Sequence, residues 1–122
     1  VGALIAVNSF GEVYPGAPPD GPVAMPKLER LGTLAQAARA NTTIGALATD
    51  APITRAQARR LAMMAHDGLA RAIRPIHAPY DGDALFALST SATAAGVDLP
   101  TLTELGTLAA DMVARAVRRA VL

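Results

Sequence analysis

The stretch NTTIGALA at residues 41–48 decides the fold that this sequence predicts. Two threonines are followed by branched and small apolar residues, which is typical of a strand inside a sheet. We therefore expect a strand over residues 42–48. Apolar runs at residues 3–7 and 84–88 predict two more strands, and all three runs are apolar enough to be covered on both faces.

Two long helices are predicted after the central strand. Residues 54–57 have the pattern of a capping box, and apolar residues recur at helical spacing from there to Ile73, before Pro75 ends the helix. A second capping-box pattern at residues 101–104 predicts the start of an amphipathic helix that reaches Ala120.

The remaining segments predict one short helix and one loop. Residues 28–40 are expected to form the helix, and the proline- and glycine-rich residues 12–26 a long surface loop. The alternation of strands and helices along the chain indicates α/β layering, in an α+β arrangement.

Composition limits the classes of protein to which the chain can belong. Its 122 residues suffice for one domain, and 11 basic residues nearly balance 10 acidic ones. No basic patch with interleaved aromatic residues suggests nucleic-acid binding, and no apolar run has the length of a membrane span. The absence of cysteine excludes disulfides and thiol chemistry, and fits a reducing, cytoplasmic location. Because Val1 already lies in a strand-like run, we expect the true N-terminus to lie upstream.

The chemistry of the NTTIGALA stretch centres on Thr42, which follows Asn41. A threonine hydroxyl is a weak nucleophile, but a free α-amine on the same residue is a ready base with a pKa of roughly 8. Cleavage of the chain between Asn41 and Thr42 would create that amine. The plain alternative is that these residues only start a strand or form a turn.

Two acidic residues and an asparagine are the next candidates for a site. Asp81 and Asp83 are two residues apart, which places both side chains on one face of an extended chain. Together they could hold the Thr42 ammonium and hydroxyl, although Asp-Gly is also a common turn signal. Asn8 follows the first apolar run, and its amide could donate to an oxyanion or simply cap the strand. 

The other polar residues of interest are interpreted as structural. His66 and His77 have no spacing that suggests a metal site, and both are taken as ordinary polar residues. Asp50 is expected to begin a turn. Gly68, which follows Asp67 inside a predicted helix, suggests either close packing or a break in the helix near the site.

Most of the chain resembles a known family of self-cleaving aminopeptidases. The residues that carry the resemblance are NTTIGALATDAPITRAQARRLAMMAHDGLARAIRP at 41–75, HAPYDGDALFALST at 77–90 and GALIAVNSFG at 2–11. The family includes the L-aminopeptidase/D-esterase, the β-peptidyl aminopeptidases and the nylon-oligomer hydrolase. The resemblance covers the C-terminal third or so of such a protein. Two acids at positions 81 and 83 are more similar to the nylon-hydrolase branch.

The resemblance implies a fold and a division of the chain. The fold is an α-β-β-α sandwich of the N-terminal-nucleophile type, of which this single domain would form a part. Residues 1–41 would be the tail of the large chain of a longer precursor, and residues 42–122 the small chain released by cleavage.

The resemblance also implies an activity and its partners. Thr42 would attack an amide as the nucleophile, Asp81 and Asp83 would orient its amine, and Asn8 would hold the oxyanion. The substrate would be a small peptide or amide, and no cofactor or metal would be needed. The partners would be the missing N-terminal portion and other cleaved protomers in a tetramer, with no nucleic acid and no membrane.

Two other functions stay open at this point. The ornithine acetyltransferases also cut themselves before a threonine, but they pass the acyl group to an amine, and their motif differs from NTTIG. A non-catalytic assembly domain would use the two amphipathic helices for oligomerisation.

Overall fold

The computed structural model describes residues 1–23 and 41–122. A three-stranded sheet is built from β1 (Gly2–Asn8), β3 (Thr42–Thr49) and β5 (Ala84–Ser89). The central strand is β3, which pairs antiparallel with β1 and parallel with β5. The three predicted strands are therefore confirmed, with bounds that differ by at most one residue at either end.

Two helices cover one face of this sheet. Helix α1 (Arg55–Ala70) begins at the predicted capping box, in which Thr54 and Gln57 exchange hydrogen bonds. Helix α2 (Leu99–Val121) begins earlier than the sequence pattern predicted, because Asp98 is the N-cap and its side chain accepts the Thr101 N–H at 2.9 Å. A proline in the first turn of a helix loses no hydrogen bond, so Pro100 does not delay the start.

A two-stranded ribbon joins the loop after β1 to the end of α1. Strand β2 (Glu12–Val13) pairs antiparallel with β4 (Ile73–Arg74). The prediction of irregular loop from residue 12 onward was therefore wrong at its start. Ile73 was also misassigned to the helix, since α1 ends at Ala70 and Ile73 is buried in the ribbon.

The core lies between the sheet and the two helices. Its largest buried apolar side chains come from the sheet, both helices and the ribbon: Leu47, Leu61, Leu69, Ile73, Val113 and Val117. The helices approach closely at Gly68, where an added Cβ would lie 2.2 Å from the Ala110 carbonyl oxygen. The expectation of close packing at Gly68 is confirmed.

The opposite face of the sheet, which we call the outer face, is not covered by any element of the described residues. Leu4 is 79% exposed, Phe86 65% and Ile44 50%. The strands are apolar enough to be covered on both faces, as predicted, but among the described residues α1 and α2 cover only one of them.

The mixed α/β class expected from the sequence is confirmed. A second sheet stacked on the first is not among the elements formed by residues 1–23 and 41–122, so the complete sandwich stays a prediction. The predicted helix at 28–40 lies outside the described residues. Neither α1 nor α2 is long and apolar enough to cross a membrane.

Candidate active site

The central strand separates its two threonines onto opposite faces of the sheet. Thr42 pairs with Asn8 across the β1–β3 ladder, and directly opposed residues of such a pair point to the same face. For Thr42 and Asn8 this is the outer face, where Asn8 is exposed and Thr42 partly so. Thr43 points into the core and is fully buried. Of the two threonines, Thr42 is therefore the one that a substrate could reach.

The carbonyl group of Asn41 is the acceptor of two hydrogen bonds. The Thr42 hydroxyl donates to this oxygen at 2.6 Å. The backbone N–H of Gly82 donates to it at 3.3 Å. The peptide bond between Asn41 and Thr42 thus has a hydroxyl beside it and a backbone donor on its carbonyl oxygen.

Gly82 lies against the Thr42 side chain. A Cβ built on Gly82 would be 2.9 Å from Oγ1 of Thr42. That contact is closer than side-chain carbons make to oxygen, so a larger residue here would move the hydroxyl. The sequence marked Gly82 only as part of a turn, and its contact with Thr42 depends on the neighbouring strands.

Asp83 ties the start of β3 to the start of β5. Its Oδ1 accepts the Thr43 N–H at 2.8 Å, and its Oδ2 lies 3.0 Å from Nδ1 of His77. The Asp83 side chain is 1% exposed, so these contacts replace the water that an ionised carboxylate would otherwise bind.

Asp81 has a different set of contacts. Its backbone N–H donates to the Ala78 carbonyl at 2.8 Å, and its Oδ2 accepts the Ala78 N–H at 3.1 Å. Asp81 thereby closes a turn just before Gly82. The structure brings Asp81 and Asp83 into the segment beside Thr42, and their joint action on Thr42 stays a prediction, as does the oxyanion role of Asn8.

The two histidines are the residues that the sequence argument missed. His77 lies between Asp83 and His66, with its Nε2 3.0 Å from Nδ1 of His66. The interpretation of both as ordinary polar residues did not foresee that the rings contact each other and Asp83. Their separation in sequence carries no signal, since α1 and the following loop must fold before the rings meet.

Burial of the ring is the main reason why the pKa of His66 lies below its usual value. The neighbouring His77 lowers it further, whereas Asp83 and Asp67 act in the opposite direction. No group of three or more acidic, histidine or cysteine side chains in residues 1–23 and 41–122 has the arrangement of a metal site.

Aromatic packing holds the site loop against the end of β1. The rings of Phe10 and Tyr80 meet edge to face with centroids 4.8 Å apart, and Phe10 is almost fully buried. A cavity of about 130 Å³ beside them is lined by Phe10, Tyr14 and Arg74, among others, and by none of the proposed catalytic residues. We therefore place the candidate site at Thr42 and not in that cavity.

Comparisons with known proteins agree with the resemblance seen in the sequence. An uncharacterized aminopeptidase of Mycobacterium tuberculosis is 40% identical over an alignment 149 residues long. The alignment covers all of this chain and 43% of the relative. One from Mycobacterium leprae is 41% identical over 145 residues, covering all of this chain and 40% of the relative. A 6-aminohexanoate-oligomer endohydrolase of a Kocuria species is 37% identical over 73 residues, covering 60% of this chain and 19% of the relative.

The chain therefore spans less than half the length of these relatives. The sequence profile described as "Peptidase family S58" matches residues 1–122, which is the whole chain. On this evidence the chain belongs to peptidase family S58.

Proposed function

We propose that this chain is the catalytic part of an amide-bond hydrolase that activates itself by cleavage between Asn41 and Thr42. Thr42 then acts as the N-terminal nucleophile. The observation that carries the proposal is the environment of the Asn41 carbonyl, whose oxygen accepts the Thr42 hydroxyl at 2.6 Å and the Gly82 N–H at 3.3 Å. The reacting hydroxyl and carbonyl are adjacent, and a donor is in place for the oxyanion.

The cleavage is an acyl shift followed by hydrolysis. Oγ1 of Thr42 forms a bond to the carbonyl carbon of Asn41, the C–N bond breaks, and the hydroxyl proton passes to the Thr42 nitrogen. Water then hydrolyses the resulting ester. The products are the Asn41 carboxylate and a Thr42 with a free α-amine and its hydroxyl restored.

The same residue then hydrolyses substrates. The α-amine of Thr42 takes the proton from Oγ1 as this oxygen attacks the substrate carbonyl, and passes it to the leaving amine. Water releases the acyl group from the acyl-enzyme. Asp83, through the Thr43 N–H, holds the start of β3 in place, Asp81 shapes the adjoining turn, and Asn8 lies opposite Thr42 where an amide donor could meet the oxyanion.

The substrate class follows from the family and from the names of relatives. The names aminopeptidase and 6-aminohexanoate-oligomer endohydrolase, which these relatives carry, both describe enzymes that cleave amide bonds. We propose a short peptide, an amino-acid amide or an ω-amino-acid oligomer as the substrate, with no metal or organic cofactor in the reaction.

The outer face supports the proposed partners. Thr42 and Asn8 lie at one end of this face, and the apolar side chains of Leu4, Ile44 and Phe86 are exposed on it. We propose that the upstream portion of the precursor covers this face and adds to the site. Cleaved protomers would then assemble into a homo-oligomer, with a tetramer as the expected state.

Intact-mass measurement of the full-length protein tests the proposal. The wild type should yield two pieces, one of which begins at Thr42. The Thr42→Ala variant should remain one chain, whereas Thr42→Ser, which keeps a hydroxyl, should still cleave. The matched control is Thr43→Ala, which should cleave because the Thr43 side chain points into the core. Cleavage of Thr42→Ala at this bond would refute the assignment of the nucleophile.

Acyl transfer is the alternative that uses the same nucleophile. An ornithine acetyltransferase-like enzyme would pass the acyl group to ornithine, with no net hydrolysis. Assay of the cleaved protein with an acylated donor, with and without ornithine, separates the two activities.

A further inference from the structure

Three side chains form a hydrogen-bonded chain that leads from the surface of α1 to a buried carboxylate. His66 Nδ1 lies 3.0 Å from His77 Nε2, and His77 Nδ1 lies 3.0 Å from Oδ2 of Asp83. His77 is 40% exposed and His66 partly exposed, whereas the Asp83 side chain is 1% exposed. The partly exposed His77 ring therefore lies between solvent and one oxygen of the buried carboxylate.

The hydrogen-bond partners determine the tautomers. With Asp83 as a carboxylate, which only accepts, the Nδ1 of His77 must carry a proton. In the neutral ring Nε2 is then an acceptor, so the contact with His66 requires a proton on His66 Nδ1. The Nε2 of His66, at the outer end of this series of hydrogen bonds, is left with a lone pair.

We propose that His77 is a positioning residue for Asp83, and that His66 and His77 together relay one proton between solvent and this carboxylate. The proposal rests on the proposed role of Thr42, because Asp83 reaches that residue through the Thr43 N–H. Its effect is to make the charge around Asp83 depend on pH in the range where histidine titrates.

The relay is balanced in protons and requires no ring rotation. A proton from solvent binds Nε2 of His66, and the proton on its Nδ1 crosses to Nε2 of His77. His77 is then an imidazolium that still donates from Nδ1 to Asp83, and His66 is neutral with its proton on Nε2. Only one proton fits the pair, since two imidazolium rings would place two N–H groups in the same 3.0 Å contact.

The surroundings of His66 act on its charge in both directions. Burial of the ring and the neighbouring His77 lower the pKa of His66, whereas Asp83 and Asp67 act in the opposite direction. Asp81, which binds the Ala78 N–H next to His77, is a second carboxylate in the same loop as Asp83. Once protonated, the pair holds Asp83 more tightly and weakens its interaction with the Thr43 N–H. The hydrolysis rate should therefore fall on the acid side.

Asparagine substitutions separate the relay from the packing. In His77→Asn the amide nitrogen takes the place of Nδ1 and still donates to Asp83, but nothing occupies the place of Nε2. Asparagine also tolerates the backbone φ of 54° at this position. In His66→Asn a donor to His77 remains, but it cannot pass a proton on. Arg60→Gln, which changes an exposed charge on the same helix, is the matched control.

The first measurement is kcat/KM of the full-length cleaved enzyme on an amino-acid anilide between about pH 5 and pH 8. We expect the ratio of the rate at about pH 6 to that at about pH 8 to rise by about threefold or more in both asparagine variants, and to be unchanged in Arg60→Gln. His77→Ala, which also loses the donor to Asp83, should lower the rate at every pH by about tenfold. An unchanged or lower ratio in the asparagine variants would overturn the relay.

The second measurement does not depend on catalysis. Nitrogen-15 NMR of the Thr42→Ala full-length protein reports the tautomer of each histidine. We expect the Nδ1–H form for both rings at high pH, and altered titration of His66 in His77→Asn. A neutral His77 with its proton on Nε2 overturns the relay whatever Thr42 does. Cleavage that persists in Thr42→Ala would instead refute the proposed function and leave the NMR result standing.

Discussion

The backbone N–H of Thr43 donates to Oδ1 of Asp83 across 2.8 Å, although forty residues separate them in sequence. This hydrogen bond joins the start of the central strand β3 to Asp83, which directly precedes β5. Backbone pairing between these two strands begins only at the next residue, Ala84. Because Thr43 follows Thr42 directly, we expect the position of Asp83 to influence that of the proposed nucleophile.

The two acids should matter for turnover more than for folding. In Asp83→Asn and Asp81→Asn the side chain keeps its shape and one acceptor oxygen but loses its charge. We expect amide hydrolysis by the full-length enzyme to fall by about 10²-fold in each variant, with an unchanged circular dichroism spectrum. Asp50→Asn, an exposed acid, is the control. Rates near those of the wild type in both variants would reduce the pair to turn residues.

Gly82→Ala should displace the Thr42 hydroxyl, because the added Cβ would lie 2.9 Å from Oγ1. A displacement of this kind costs about 10²-fold when the group must be aligned for attack. We expect the fragment that begins at Thr42 to appear more slowly than in the wild type. Gel electrophoresis of samples taken over time measures this rate. Gly16→Ala adds the same methyl group where nothing lies within 4 Å. Equal cleavage rates in the two variants would show that the Gly82 contact is unimportant.

The N-cap of α2 should make stability depend on pH at the acid end. Hydrogen bonds from Thr101 hold the pKa of Asp98 below its ordinary value of 3.8. A carboxyl group whose pKa is lower in the folded state stabilises the protein at pH values above its ordinary pKa. This stabilisation is lost as the pH falls through the pKa of the folded state.

The test of this effect is thermal unfolding of Asp98→Asn and the wild type between roughly pH 6 and pH 3. Asparagine caps helices about as well but does not titrate in this range. We expect the midpoint of the variant to fall less over that interval. Parallel curves would mean that Asp98 does not contribute to the acid dependence.

The outer face should cause residues 1–122 to associate when they are produced alone. Leu4, Ile44 and Phe86 are each at least half exposed on this face, and contiguous apolar surface of this kind favours association. Light scattering should show aggregates or oligomers without anilide hydrolysis. Phe86→Glu should shift the distribution toward monomer more than Leu108→Glu, an exposed site on α2. A monomeric, active wild-type chain would contradict the prediction.

Several elements could be predicted because their signals are local. The strand after Asn41 follows from consecutive apolar residues, and the start of α1 from the capping box of Thr54 and Gln57. The start of α2 was misplaced because two N-cap signals overlap, and Asp98 with Pro100 prevailed over Thr101.

The sequence by itself determined the family, the three strands, the two helices and the candidate residues Thr42, Asp81 and Asp83. Only the tertiary structure decided which of the paired threonines faces outward, that Gly82 touches Thr42, and that His66 and His77 reach Asp83. The reason is physical. Periodicity and capping depend on neighbours within one or two turns, whereas these contacts join segments that meet only after the helices have packed on the sheet.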